Sequence, residues 1–167
     1  MSTEDILSDS QLSAIDNTAA LYTIGIAAKL TGTTVSTIRM YEEKGLIIPY
    51  KTESGHRQFS ETDIIRLRCI RQNLDMQGLN IAGIKSLMAL VPCWLLRPCS
   101  QADQEQCDAY TSNTEPCWAV ATKGPECVGK DCRACPVYHI PGRCHDIKTL
   151  YKELLKPESG TEATTPP

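Results

Sequence analysis

The chain has 167 residues, a formal net charge of −3 and 5% aromatic residues with a single Phe, which suits one modest domain or two small ones and excludes one large aromatic core. No apolar run approaches the ~20 residues of a membrane span, and residues 1–16 are acidic and polar, unlike a signal or transit peptide, so no membrane partner and a cytoplasmic location are expected. Charge is uneven: residues 1–21 carry four acids and no Lys or Arg, residues 22–91 carry nine Lys and Arg against six Asp and Glu, and residues 92–156 balance eight against eight.

The basic block opens with helix signals. Thr23 can cap a helix through Leu30, with Ile24, Ala27, Ala28 and Leu30 as its apolar face and Thr31-Gly32 as its end. Thr34 can cap a second helix from Val35 to about Lys44, and Gly45 stands where a helix end wants a positive φ. Two short helices across a Gly turn form the helix-turn-helix pattern, whose second helix enters the major groove with its N-terminal residues foremost. Those residues here are Thr34, Ser36 and Thr37, small hydrogen bonders, followed by Arg39 and Tyr41 as phosphate grippers, although Tyr41 also suits packing. Ile38 and Leu46 read as core, and Glu42 and Glu43 as a solvated face.

Leu46-Ile47-Ile48 reads as a strand ended by Pro49, and Arg57-Gln58-Phe59 as its return across the turn Glu53-Ser54-Gly55-His56. This hairpin wing would carry Lys51, His56 and Arg57 near its tip. Ser60-Glu61-Thr62-Asp63 has capping-box spacing with Asp in the usual Glu position. It starts a helix with Ile64, Leu67, Ile70 and Leu74 on one face, and Cys69 on that helix reads as a small core residue. Gly78 breaks the helix; Asn80 caps another with Ile81, Ile84, Leu87 and Met88 on one face, closed by Pro92.

The strings Tyr22-Thr-Ile-Gly-Ile-Ala-Ala-Lys, Thr37-Ile-Arg-Met-Tyr-Glu-Glu-Lys-Gly-Leu-Ile and Ser54-Gly-His-Arg-Gln-Phe-Ser resemble the winged-helix head of the MerR family of bacterial transcription regulators. The resemblance covers residues 22–91. It departs from the family at Met40, where an aromatic is usual, at Thr33, near which a Val is usual, and at His56, where a Tyr is usual. The resemblance implies binding of double-stranded promoter DNA, commonly as a homodimer, with a change of DNA twist that lets RNA polymerase engage misaligned promoter elements. It also implies that Arg39, Tyr41 and Arg57 hold phosphates, contacts that fix register, while sequence is read at the start of the recognition helix and through DNA deformability.

Eight of nine cysteines lie behind the head: Cys93, Cys99, Cys107, Cys117, Cys127, Cys132, Cys135 and Cys144. In a reducing compartment this points to metal or redox chemistry rather than a disulfide framework. The segment holds an imperfect repeat. Pro92-Cys93-Trp94, Cys99 and Cys107-Asp-Ala-Tyr110 form one copy; Pro116-Cys117-Trp118, Cys127, Cys132 and Cys135-Pro-Val-Tyr138 form the other. Units too small for their own apolar core need a staple, and metal is the available one. The Cys-Trp starts resemble, weakly, the short CW motifs attached to some bacterial signalling proteins.

Cys127-x4-Cys132-x2-Cys135 with Cys144 downstream matches the plant-ferredoxin order for an iron–sulfur cluster and equally suits four-thiolate zinc. The first copy has three cysteines, so a fourth ligand would come from the second copy, from His139 or His145, or from a partner chain. The cofactor is therefore expected to be an iron–sulfur cluster or zinc, leaning to iron–sulfur.

Six prolines from Pro92 to Pro141 break up the region where most MerR relatives carry a long dimerisation helix, so a side-by-side assembly on DNA is a second possibility. Ile147, Leu150, Tyr151, Leu154 and Leu155 give one short amphipathic helix, able to dock on the cysteine segment or a second chain.

The expected architecture is mainly α, with a winged helix-turn-helix DNA-binding domain and a small irregular cysteine-rich domain bound to metal or cluster. Its parts are a mobile acidic N-terminus (1–21), the head (22–91), the cysteine domain (92–145), a short helix (146–156) and a disordered tail (157–167). The leading function is transcription regulation governed by metal, cluster or redox state; the alternative is a DNA-binding protein with a purely structural zinc site. A thiol redox enzyme at Cys132-Arg-Ala-Cys135 lacks the βαβ surroundings it would need, and no catalytic role is expected.

Overall fold

The computed structural model describes residues 18–140 and 147–156, in two compact units, Met1–Arg71 and Gln72–Pro167. The expectations for the first 17 residues, for Cys144 and His145, and for the tail from Pro157 lie outside the described residues.

The first unit runs β1 (Tyr22–Thr23), α1 (Ile24–Thr31), α2 (Val35–Glu43), β2 (Tyr50–Lys51), β3 (Arg57–Phe59) and α3 (Glu61–Met76), whose last residues belong to the second unit. The cap signals act as expected. The Thr23 hydroxyl accepts from the Ile26 amide at 3.4 Å, and the Thr34 hydroxyl from the Thr37 amide at 3.1 Å, each satisfying an orphan donor of a first turn. Gly32 ends α1 at φ 61 and Gly45 reverses the chain after α2 at φ 74. Arg68 and Arg71 of α3 donate to the last carbonyls of α1: Arg68 Nη2 to Leu30 O at 3.1 Å and Arg71 Nη1 to Thr31 O at 2.9 Å, with a further bond to Gly32 O. Cations at a helix carboxyl end also oppose the negative pole of its dipole.

The apolar face of α1 differs from the expected one. Leu30 is 41% exposed, while Thr31 is buried and returns its hydroxyl to the Ala27 carbonyl at 2.8 Å. That bond lets a polar residue take a core position beside Ala27 and Ala28.

The wing is also shifted. The strand expected at Leu46–Ile48 lies at Tyr50–Lys51, beyond Pro49. Leu46 and Ile47 are 0% and 1% exposed, and two successive buried side chains do not fit the alternation of a strand with one wet face. They join Ile38, Tyr41, Phe59, Ile64, Leu67 and Ile70 in the buried core of this unit. A third strand, β1, gives the antiparallel order β1-β3-β2, with Tyr22 opposite Phe59 and Tyr50 opposite Gln58. At two residues, β1 is too short for periodicity to reveal. The Tyr22 hydroxyl ties it to α3 by donating to Glu61 Oε2 at 2.9 Å.

The capping box before α3 is present: Ser60 N–H and Oγ reach Asp63 Oδ2 at 2.8 and 2.9 Å, and the Asp63 amide returns to Ser60 Oγ at 3.1 Å. Cys69 is buried, as expected for a small core residue.

In the second unit, α4 (Ile81–Ala89) is capped by Asn80, whose side chain accepts from the Gly83 amide at 2.8 Å. Three short helices follow, α5 (Cys93–Leu96), α6 (Gln101–Glu105) and α7 (Asp108–Thr111), then a 3-10 turn at Cys132–Ala134 and α8 (Ile147–Leu154). The prolines have their expected effect, since none of the three helices α5–α7 exceeds five residues. The amphipathic stretch forms α8; Leu150 is buried, Leu155 is exposed, and the Tyr151 hydroxyl donates to Leu90 O at 2.9 Å beside the end of α4. The helix thus docks on its own chain. Among the described residues no helix is long and apolar enough to cross a membrane.

Candidate DNA-binding edge and cysteine cavity

The sequence offers eight candidate DNA-contacting side chains at α2 and the wing. Thr34, which caps α2, and Ser36 and Arg39 on it are exposed, as are Lys51 and His56 on the wing, while Thr37 and Arg57 are half-buried. Three hydroxyls gather at the start of α2: Thr34 Oγ1 lies 2.9 Å from Ser36 Oγ and 2.8 Å from Thr37 Oγ1. Each can donate or accept, so the trio is a small reorientable hydrogen-bonding group where a recognition helix meets base edges.

Tyr41 stands apart from the others. It is 3% exposed, and its side chain packs in the core of the unit, the second of the two roles its sequence allowed.

Glu42, which in sequence reads as part of a solvated face, has an ionic role instead. Its carboxylate is largely buried and receives both wing cations, Arg57 Nε at 2.5 Å and Lys51 Nζ at 3.4 Å. One acid on the recognition helix therefore fixes the wing against that helix. The signal available in sequence was weak, because an acid mid-helix among charged neighbours reads as surface.

In the second unit, Cys93, Cys99, Cys107, Cys117, Cys127, Cys132 and Cys135 all line one cavity of about 60 Å³, and all seven are free thiols. The two sequence copies form matching structures. In each, the Trp of Cys-Trp meets the Tyr of Cys-x-x-Tyr edge to face: Trp94 with Tyr110 at 5.0 Å and 75°, Trp118 with Tyr138 at 5.2 Å and 85°. These four rings also line the cavity.

The copies are laced together. The Asp108 amide donates to Thr122 O at 3.0 Å, and the Thr122 amide to Asp108 Oδ2 at 2.9 Å. Gly124 permits the approach, since a Cβ there would stand 2.9 Å from the Asp103 carbonyl oxygen.

Burial pushes the Cys93 thiol up to about 11, with Cys107, Cys99 and Cys127 adding to the rise. Burial likewise raises Cys117, helped by Cys93, Cys135, Cys132 and Cys127, so thiols of both copies feel one another. Cys127 is raised by burial and by Cys135, Cys107 and Cys99, while Arg97 pulls it down. Lys123 Nζ donates to Cys132 Sγ at 3.2 Å. His139, considered as a fourth ligand, does not line the cavity.

Soft thiolates suit zinc and iron–sulfur cores alike. Among the described residues no three His, Cys, Asp or Glu side chains are gathered tightly enough to hold a single ion. The seven thiols instead surround a space several times the 10–15 Å³ that admits one water. That donor set fits a group larger than one ion. Cys132 and Cys135 flank a 3-10 turn, not the strand-to-helix turn of a dithiol oxidoreductase.

Comparison with known proteins bears on the head alone. Residues 22–90 match the family described as MerR HTH family regulatory protein, a match that ends before Cys93. The HTH-type transcriptional regulator GlnR of Bacillus cereus is 43% identical over 72 residues, covering 43% of this chain and 55% of that protein. Heavy metal-dependent transcription regulator 2 of Rhizobium meliloti is 41% identical over 68 residues, covering 40% and 46%. The HTH-type transcriptional regulator MlrA of Escherichia coli is 38% identical over 71 residues, covering 42% and 29%. The chain thus spans about half or less of the length of these curated relatives. The capped α1–turn–α2 pair, the small wing and these matches agree: residues 22–90 are a MerR-family helix-turn-helix domain.

Proposed function

We propose that this chain is a transcription regulator that binds double-stranded promoter DNA through α2 and the wing, and that the metal–sulfur state of its cysteine cavity governs that binding. The observation that carries the first half is the exposure of Thr34 at the start of α2, of Ser36 and Arg39 on it, and of Lys51 and His56 on the wing that Glu42 ties to that helix. Hydroxyls there suit base edges, and the cations suit phosphates. The similarity to regulators such as GlnR supports the same reading.

The second half rests on seven free thiols facing one cavity, an arrangement with no evident use in gripping DNA. A relative whose name makes it heavy metal-dependent is in keeping with it. When bound, the metal–sulfur group would supply a centre whose gain or loss changes the order of the segment that follows α4. The chain's own residues would do the rest: the cysteines hold the group, the Trp–Tyr pairs keep water away, and Arg97 and Lys123 offset thiolate charge. Binding as a homodimer or side by side, with RNA polymerase engaged indirectly, completes the proposal.

The test is retardation of promoter fragments by the full chain, prepared without oxygen, before and after removal of metal. A change in affinity or in the footprint is expected; identical binding in both states overturns the control. For the head, Arg39→Ala should weaken binding to all duplexes alike and flatten the dependence of log affinity on log salt by about one unit. Retardation as strong as before, at every salt concentration, overturns the DNA-binding reading.

A further inference from the structure

We propose that the two cysteine copies do not hold separate metal sites but jointly enclose one polynuclear metal–sulfur centre. The inference rests on the reading that the cavity binds metal, and it names what is bound and by which thiols.

Three observations carry it. One tetrahedral ion takes four thiolates, whereas seven thiols from the two copies face the same space. The space itself is larger than one ion needs.

The lining also crosses between copies: Cys93, Cys99 and Cys107 come from the first, and Cys117, Cys127, Cys132 and Cys135 from the second. Two hydrogen bonds between Asp108 and Thr122, one of them to the Asp108 carboxylate, and the close approach at Gly124 hold the copies together around this space.

Charge agrees. Several thiolates around divalent ions leave a net negative centre, and Arg97 near Cys127 and Lys123 on Cys132 lie against it. Two tetrahedral ions sharing one thiolate use seven thiolates, the number lining the cavity. An iron–sulfur core would use four of them, with inorganic sulfide as the bridge. The shared chemistry is a sulfur-bridged centre of at least two metals.

The experiment uses the full chain prepared without oxygen. Metal and acid-labile sulfide are measured, and the metal-depleted protein is titrated with Co²⁺ under electron paramagnetic resonance. At least two metals per chain are expected. Iron with sulfide identifies the iron–sulfur form; metal without sulfide identifies the thiolate-bridged form, and either supports the proposal. The first equivalent of Co²⁺ should raise a high-spin signal that further Co²⁺ quenches by coupling through a shared sulfur. Saturation at one metal, or two ions with additive, uncoupled signals, overturns it.

Cys107→Ser and Cys135→Ser occupy matching places before Tyr110 and Tyr138. Each should remove more than half of the bound metal and shift the same absorption band; loss of half with the remainder unaltered overturns the shared centre. The cobalt measurement on the unaltered chain decides the matter even if a variant fails to fold. A coupled centre whose removal leaves DNA binding unchanged would overturn the regulatory reading alone. Uncoupled sites whose removal changes DNA binding would overturn this inference alone.

Discussion

Glu42 shows how one side chain can set the character of the proposed DNA-binding edge. It sits on α2 and takes Arg57 and Lys51 of the wing at once. Both cations would then arrive at DNA already oriented, yet with part of their charge offset. Replacing Glu42 with Gln removes one negative charge and frees both wing cations. Affinity for random duplex should rise, the salt dependence should steepen by about one unit, and the preference for promoter over random DNA should fall. The pair is partly exposed, so the stability cost should stay within about 1 kcal/mol. Retardation on matched promoter and random fragments at several salt concentrations measures this; an unchanged preference ratio would argue that Glu42 has no part in orienting the wing.

At the scale of elements, two glycines decide whether neighbouring pieces fit. Gly32 has φ 61, and a Cβ there would collide with Arg71 Nη1. The arginine end can move, at the expense of its bonds to Thr31 and Gly32 carbonyls. Gly124 differs, because the atom 2.9 Å from its would-be Cβ is the backbone oxygen of Asp103. Backbone cannot step aside cheaply, so Gly124→Ala should push the two cysteine copies apart. Bound metal should fall several-fold while Arg39-dependent retardation of random duplex persists. Full metal loading in this variant would show that the close approach is not needed. The capped helices α1, α2 and α4 were legible because each cap is a local pairing of a side chain with an amide three residues on. The wing strand was misplaced because Leu46-Ile47-Ile48 has strand-like residues but is held in the core by burial of neighbours distant in sequence.

At the scale of the whole molecule, the two Trp residues, Trp94 and Trp118, both lie in the cysteine copies, so their emission reports that region alone. Without metal the region depends on thiols staying neutral. Cys93 is raised from its ordinary 9.0 to about 11 by burial first and by neighbouring thiols second. A raised thiol pKa in the folded state means stability is fully present below about 9 and drains away as pH climbs through about 11. Trp emission of the metal-free chain should therefore shift to the red over that window. With metal bound, the thiolates are already formed and neutralised, and the shift should be absent there. A metal-free chain whose emission stays constant to pH 11 would show that the buried thiols do not limit its packing.

The sequence by itself determined the helix-turn-helix, its caps and turns, and the repeat of the cysteine copies. The caps and turns are local patterns, written in residues within a few positions of one another, and the repeat is legible as one string met twice. The tertiary structure decided what no local pattern contains: that Tyr41 packs inward, that Glu42 gathers two wing cations, that β1 completes the sheet, and that seven cysteines from both copies open on one space. Those facts depend on which distant segments pack together, and packing follows from the burial and hydrogen-bond needs of many residues at once.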